Sequence, residues 1–136
     1  MNVTPKVRLL LVDGDRRVRE LVRENFSSER FDVLEASTAW DCLKMASRES
    51  PDVMILDLHL PDHDGWELLS LAKLLGILDD TEVVITSPDP PSATAVNRAR
   101  LAGFVRKPID VRQLVQRVDR AVAGRRAKTC VRVPVR

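Results

Sequence analysis

The sequence predicts an α/β protein, a three-layer α/β/α sandwich built around one five-stranded parallel sheet. Short apolar runs alternate with longer amphipathic stretches, which is the pattern of consecutive βα units. A length of 136 residues suits one domain with its own core. The hydrophobic fraction of 44% and the charged fraction of 31% are ordinary for a globular chain. We therefore expect a single α/β domain.

Five apolar runs are predicted to form the strands. The first run is rich in leucine and valine, as expected of a strand that is buried on both faces. The second is more polar, which is typical of a position nearer the edge of the sheet. The predicted strands are 7–12, 31–34, 53–56, 82–85 and 104–106.

Five amphipathic stretches follow the strands and are predicted to form helices. Gly76 is placed to cap the third helix at its C-terminus. Asp110 with Gln113 three residues later is the pattern of a capping box at the start of the last helix. We expect that helix to end at Gly124. The predicted helices are 16–25, 38–48, 66–75, 92–101 and 111–124.

Polar side chains stand where four of the strands end. Open α/β sheets bind their ligands at the carboxyl ends of the strands, and a buried carboxylate is costly unless it is paired. The sequence therefore predicts one polar pocket that contains acids, a hydroxyl and an ammonium group. The residues are Asp13 and Asp15 after the first strand, Asp57 after the third, Thr86 after the fourth and Lys107 after the fifth.

These residues, in this order, resemble the receiver domain of bacterial two-component response regulators, the CheY-like family. The resemblance also rests on a Leu-Pro-Asp-x-Asp-Gly loop at 60–65, on an aromatic residue in the fifth strand and on the Lys-Pro pair at 107–108. It covers residues 7–123 and implies the flavodoxin-like strand order 2-1-3-4-5. On this basis we expect a receiver domain over residues 1–124 and a basic tail over residues 125–136.

The resemblance implies a role for each residue of the pocket. Asp57 corresponds to the phosphoacceptor, which takes its phosphoryl group from a histidine kinase or a phosphotransfer protein. Lys107 corresponds to the lysine that pairs with the acceptor, and the bond to Pro108 is expected to be cis. Thr86 and Phe104 correspond to the switch pair, although packing in the core explains Phe104 equally well.

The resemblance also implies Mg²⁺ as the cofactor. The expected ligands are Asp13, Asp57 and the backbone carbonyl of His59, with Asp15 as a further candidate. The main departure from the family pattern is Gly14, which stands where the family carries a metal-ligating acid. Unless Asp15 takes over that position, we expect weaker Mg²⁺ binding and slower phosphorylation.

Three alternatives to a phosphorylated receiver stay open. A pseudo-receiver that binds partners without phosphorylation is suggested by Gly14 and by the prolines at 88, 90 and 91, which restrict the loop after Thr86. A phosphatase with a nucleophilic Asp-x-Asp motif at 13–15 is disfavoured, because Arg17 stands where such enzymes need threonine or valine. A flavodoxin-like flavin binder is disfavoured as well, because the loop at 13–17 has acids where a phosphate would sit. Apart from these functions, the histidines and aspartates at 57–64 suggest a transition-metal site. We expect a signalling protein and not an enzyme.

The C-terminal segment is more basic than the rest of the chain. The five basic residues from position 125 onward are accompanied by no acid. A solvated terminus explains such a run better than contact with nucleic acid does, and the segment is too short for a DNA-binding module. We therefore expect output through an effector protein, with a homodimer through the fourth helix, fifth strand and fifth helix as a further expectation. The chain lacks a membrane-length apolar run and is expected to be cytoplasmic.

Overall fold

The computed structural model describes residues 5–131, with side chains up to Arg125. Strands and helices alternate along this part of the chain. The strands are β1 (Val7–Val12), β2 (Phe31–Ala36), β3 (Val53–Asp57), β4 (Glu82–Ser87) and β5 (Gly103–Arg106). The helices are α1 (Arg16–Glu24), α2 (Ala39–Glu49), α3 (Gly65–Leu74), α4 (Ala93–Ala99) and α5 (Val111–Val131).

The strands form one parallel sheet in the order β2-β1-β3-β4-β5, which confirms the predicted fold class and strand order. All five residues of β3, the central strand, are buried. Because successive side chains of a strand point to opposite faces, Leu9 and Leu10 of β1 enter different apolar clusters. One cluster includes residues of α2 and α3, and the other includes residues of α1 and α5. Strands that are apolar on both faces therefore produce the three layers.

Polar side chains start four of the helices by accepting hydrogen bonds from N–H groups of the first turn. The residue Gly76, just after α3, has a φ of +73°, in agreement with the predicted glycine cap. Asp110 Oδ1 accepts from Gln113 N at 3.3 Å, which is one half of the predicted capping box. The four N-cap residues are Asp15, Thr38, Asp64 and Ser92.

The expected end of α5 at Gly124 is wrong, because the helix continues to Val131. A glycine inside a helix costs only about 1 kcal/mol, and the residues that follow it include alanine, lysine and arginine, which favour helices. Arg125 also ties the extension to the loops that precede β3 and β4. Its Nη2 lies 3.1 Å from Asp52 Oδ1, and its Nη1 donates to the carbonyl oxygen of Asp80. Residues 132–136 of the expected basic tail lie outside the described residues.

The other element boundaries lie within about two residues of the predicted ones. The largest differences are at β2, which continues to Ala36, at β4, which continues to Ser87, and at α4, which is seven residues long and contains no buried residue. Within residues 5–131, no helix is both long enough and apolar enough to cross a membrane.

Candidate functional site

The carboxyl ends of the strands meet around an open cleft of about 700 Å³. Pairing between β3 and β4 places Asp57 beside Thr86. The cis bond between Lys107 and Pro108, which the resemblance implies, is present. The structure therefore gathers the predicted residues at one edge of the sheet. Those that line the cleft are Asp13, Gly14, Asp15, Asp57, His59 and Lys107.

Lys107 lies between two buried carboxylates. Its Nζ is 2.9 Å from Asp13 Oδ2 and 3.0 Å from Asp57 Oδ2. The side chains of these two aspartates are only 3% and 5% exposed. Partial burial lowers the pKa of Lys107, but hydrogen bonds and attraction from Asp13 and Asp57 outweigh it, so the pKa lies above its ordinary value. The lysine therefore stays charged at neutral pH and holds the two like charges together.

Backbone N–H groups fix the second oxygen of each carboxylate. His59 N donates to Asp57 Oδ1 at 3.0 Å, and Asp15 N donates to Asp13 Oδ1 at 2.8 Å. Each aspartate thus bonds to an amide two residues further along, as turn-forming aspartates commonly do. Both carboxylates are held in fixed orientations before any ligand binds.

Arg19 is a site residue that the sequence reasoning missed. Its Nη1 donates to the carbonyl oxygen of Asp13 at 2.8 Å, and its Nε donates to Glu35 Oε1 at 3.1 Å. The guanidinium group therefore ties the end of β1, where Asp13 stands, to α1 and β2. Glu35 is 16 residues away in the sequence, so no local pattern signals this contact.

The hydroxyl group of Thr86 is buried and has no hydrogen-bond partner among the described residues. A buried hydroxyl without a partner is destabilising, so its presence next to Asp57 favours a ligand that uses it. The neighbouring Ser87 is engaged differently. Its Oγ accepts from Asp89 N at 3.2 Å, within the loop after β4.

The donor set of the cleft fits Mg²⁺. This ion is usually held by one or two carboxylates, with water in several of its remaining positions. Two buried carboxylates, Asp13 and Asp57, line the cleft together with His59. Gly14 offers no side chain. Asp15 lines the cleft and also caps α1, because its Oδ1 accepts from Arg17 N at 2.9 Å, so its part as a further ligand stays a prediction.

The loop after Asp57 forms helix caps and not a transition-metal site. Asp62 accepts from Ala39 N at 2.8 Å and from Trp40 N at 3.1 Å, at the start of α2. Asp64 accepts from Trp66 N at 2.7 Å, at the start of α3. Among the residues with described side chains, no group of three or more His, Cys, Asp or Glu side chains could hold a metal ion.

Asp62 is a second residue whose role the sequence reasoning missed, since the turn pattern alone does not reveal a cap on another helix. Burial slightly raises the pKa of Asp62, but hydrogen bonds from the amides of Ala39 and Trp40 outweigh it and lower the pKa below its usual value. The loop after Asp57 is therefore attached to the N-terminus of α2.

Phe104 is half-buried in β5 and packs against the apolar cluster that includes residues of α2 and α3. This agrees with core packing, the simpler of the two expectations for the residue. Its part in a switch stays a prediction.

A family model and several curated proteins match the chain. Residues 9–119 match the response regulator receiver domain. The response regulator MprA of Mycobacterium leprae is 32% identical over 114 residues, which are 82% of this chain and 49% of that protein. The transcriptional regulatory protein GlrR of Escherichia coli is 30% identical over 116 residues, which are 84% of this chain and 26% of that protein. The chain spans about half the length of the first curated relatives, or less.

Solved structures show the same fold. A CheY-like response regulator receiver domain protein from Methanospirillum hungatei matches with a TM-score of 0.82 and 21% identity, over 91% of this chain and 99% of that one. The signal receiver domain of an HD domain-containing protein from Pseudomonas fluorescens matches with a TM-score of 0.82 and 23% identity, over 98% of each chain. Identities this low support the fold alone.

Proposed function

Because the chain belongs to the receiver domain family of response regulators, we propose that it accepts a phosphoryl group on Asp57 during two-component signalling. The observation that carries this proposal is the position of Lys107 Nζ, which lies within 3.0 Å of a carboxylate oxygen of both Asp13 and Asp57. The proposed donor is a histidine kinase or a phosphotransfer protein, and the proposed recipient of the signal is an effector protein.

In the proposed reaction an oxygen of Asp57 attacks phosphorus and forms an acyl phosphate. The bond between phosphorus and the donor's histidine nitrogen breaks, and that nitrogen keeps the electron pair and takes up a proton. Mg²⁺ held by Asp13, Asp57 and the His59 carbonyl would supply positive charge for the phosphoryl oxygens. Lys107 then moves from the Asp57 carboxylate to a phosphoryl oxygen, where a compact ammonium binds well.

The hydroxyl group of Thr86 completes the proposed phosphoryl site. It is buried beside Asp57 and has no described partner, so a phosphoryl oxygen can become its acceptor. A movement of Thr86 toward that oxygen would leave space behind it. We propose that Phe104, which is on the neighbouring strand β5, responds by repacking, as the resemblance implies.

Gly14 sets the metal requirement of the proposed site. With one direct acid fewer, the negative charge around the ion is smaller, and Mg²⁺ affinity depends on the number of charged ligands. We therefore propose that phosphorylation needs more Mg²⁺ than it would with an acid at this position. We propose Asp15 as a further source of negative charge, since it lines the cleft while its Oδ1 caps α1.

The test is the intact mass of the chain after incubation with acetyl phosphate and Mg²⁺. The wild type should gain the mass of one phosphoryl group, and Asp57→Ala should gain none. Chelation of the metal should abolish the gain. No adduct at any Mg²⁺ concentration would contradict the proposal and would favour a pseudo-receiver. An adduct of equal size in Asp57→Ala would show that another residue is the acceptor.

A further inference from the structure

Exposed apolar side chains are concentrated on two helices. Of the large apolar side chains that are exposed in the described part of the chain, one is on α1 and the others are on α2 and α3. Trp40 of α2 is 63% exposed, and Leu74 of α3 is 83% exposed. We call the surface that carries Trp40, Leu71, Leu74 and Leu75 the α2–α3 face; Trp40 is in the first turn of α2, and the leucines are at the C-terminal end of α3, so its apolar residues lie at its two ends.

The leucines of this face lie on one side of α3. Leu71, Leu74 and Leu75 are spaced by three and four residues, so they are neighbours on the helix surface. Leu68, Leu69 and Ala72 of α3 are buried in the core, and the exposed leucines lie next to this buried side and outward from it. A surface helix normally carries polar residues on its outer side, and contiguous apolar patches mark interaction sites. The exposed leucines of α3 are therefore not covered by any of the residues that the structure describes.

We propose that the α2–α3 face binds the same face of a second copy of this chain, with the helices of the two copies antiparallel. An apolar patch is complementary to itself, and a two-fold contact brings the same patch of both copies together. This proposal does not depend on phosphorylation. It differs from the dimer through α4, β5 and α5 that the resemblance suggests.

The charges at the helix ends support the antiparallel arrangement. The first turns carry acids, Asp41 on α2 and Glu67 on α3. The last turns carry bases, Arg48 on α2 and Lys73 on α3. Both helices follow parallel strands, so their acidic ends lie at the same edge of the sheet. In an antiparallel dimer the acidic ends of one copy meet the basic ends of the other, and the helix dipoles oppose each other favourably.

Two of these charges are available for the contact. Glu67 is exposed and forms no ion pair with another described residue, while the Arg48 side chain is 71% exposed and its ion pair with Glu49 is long, at 4.0 Å. Lys73 donates to the carbonyl oxygen of Ala99 and is turned toward α4. Asp79 is an acid near the basic ends, but it lines a cavity together with Lys73, Arg98 and Arg100. Glu67 and Arg48 are therefore the charges we expect to meet across the interface.

The edge formed by α4, β5 and α5 is less suited to a symmetric contact. None of the exposed large apolar side chains of the described residues lies on it. The sequence from position 90 to position 109 contains no acid, and Arg98, Arg100 and Arg106 are exposed. A two-fold contact there would place arginines of one copy against arginines of the other. This would be unfavourable, because like charges at an interface repel each other.

The experiment measures self-association by sedimentation over a wide range of protein concentration. The wild type should form dimers, and Leu74→Asp should raise the dimer dissociation constant about tenfold or more, as expected for an apolar residue central to an interface. Leu71→Asp should act similarly. Leu21→Asp is the matched control, because Leu21 and Leu71 are both 44% exposed and only Leu71 lies on the α2–α3 face.

Charge reversal tests the orientation. Glu67→Lys alone should weaken the dimer, and adding Arg48→Glu in the same chain should restore part of the affinity. Urea unfolding of each variant checks that the monomer is folded. A wild type that stays monomeric at every concentration overturns the proposal and leaves the face to a different protein. A dimer that survives Leu74→Asp, or that is lost in Leu21→Asp or Arg106→Glu, overturns it as well, because another surface then forms the contact.

Discussion

Lys107 neutralises one of the two negative charges that Asp13 and Asp57 bring into the cleft. Both carboxylates are buried and each has its second oxygen on a backbone amide, so neither is left without partners. The pair still carries one negative charge in excess of the lysine. That remaining charge, next to a hydroxyl without a partner, suits a divalent cation and a phosphoryl group.

Thr86→Val tests whether the Thr86 hydroxyl lacks a partner before phosphorylation. The substitution keeps the shape of the side chain and removes a buried polar group, so we expect the free energy of unfolding to stay equal or to rise by about 1 kcal/mol. Urea unfolding measures this change. A loss of stability of about 1 kcal/mol or more would show that the hydroxyl has a partner in the folded protein.

Gly14→Asp tests the effect of the missing acid. We expect Mg²⁺ to bind about tenfold more tightly, because the ion gains a negatively charged ligand. A Cβ at this position meets Pro61 Cδ at 3.1 Å, so the proline ring must shift slightly. Calorimetric titration with Mg²⁺ measures the affinity, and Gly14→Asn is the neutral control of the same size. Equal affinities for the two variants would contradict the expected role of charge.

The main pocket residues could be predicted because each follows an apolar strand. Asp13, Asp57 and Lys107 meet in the structure as the positions of the strand ends imply. The contacts of Asp62 and Arg19 could not be predicted in the same way. Asp62 caps a helix 23 residues earlier in the sequence, and such a pairing depends on how loops approach each other and not on local spacing.

At the scale of elements, Asp62 adds to the cap by Thr38 at the start of α2 and links that helix to the loop after Asp57. Removing its two hydrogen bonds by Asp62→Ala should cost about 0.5–2 kcal/mol of stability, as loss of a capping side chain usually does. The low pKa of Asp62 sets the pH range of this effect. Because the folded pKa lies below the unfolded value of 3.8, the stabilisation is present above that value and is lost as the pH falls through the folded pKa.

Urea unfolding of the wild type and of Asp62→Ala at several pH values checks this prediction. The difference in unfolding free energy should be constant in the neutral range and should shrink in acid, below the unfolded pKa. A difference that persists undiminished in strong acid would show that the negative charge of Asp62 is not what stabilises the helix.

Two glycines of the chain should respond oppositely to alanine. In Gly65→Ala the new Cβ would lie 2.7 Å from Leu58 Cα, at the start of α3, so we expect a loss of about 1–3 kcal/mol through overpacking. In Gly124→Ala the Cβ meets nothing within 4 Å, and the residue is inside α5, so we expect a gain of about 0.5–1 kcal/mol. Urea unfolding measures both changes. If Gly124→Ala failed to stabilise the protein, the continuation of α5 beyond Gly124 would be in doubt.

The C-terminal end of α5 is the one boundary among the described elements that the sequence pattern predicted wrongly by several residues. A glycine after the last apolar residue is the usual sign of a helix end, and it led to the wrong boundary. A local sequence pattern carries no information about the contact of Arg125 with Asp52, which lies just before β3. The distance between Arg125 Nη2 and Asp52 Oδ1 is 3.1 Å. Tertiary contacts of this kind outweigh a local preference of about 1 kcal/mol.

For the whole molecule, the alternation of strands and helices was sufficient to predict the fold class, a three-layer α/β/α sandwich. Parallel strands buried on both faces need helices on both sides, and this requirement leaves few arrangements for five βα units. The order of the strands came from the resemblance to a family, because apolar runs of similar composition do not reveal which strands are neighbours. The exposed leucines of α3 could not be predicted, since their exposure depends on how α3 is rotated against the sheet.

The most direct test of the account identifies the residue that carries the phosphoryl group. Borohydride reduces an acyl phosphate on aspartate to homoserine, which peptide mass spectrometry locates after treatment with acetyl phosphate and Mg²⁺. The account predicts homoserine at position 57 and at no other aspartate. Homoserine at Asp13 or Asp15, or none at all in a chain that has bound Mg²⁺, would contradict it.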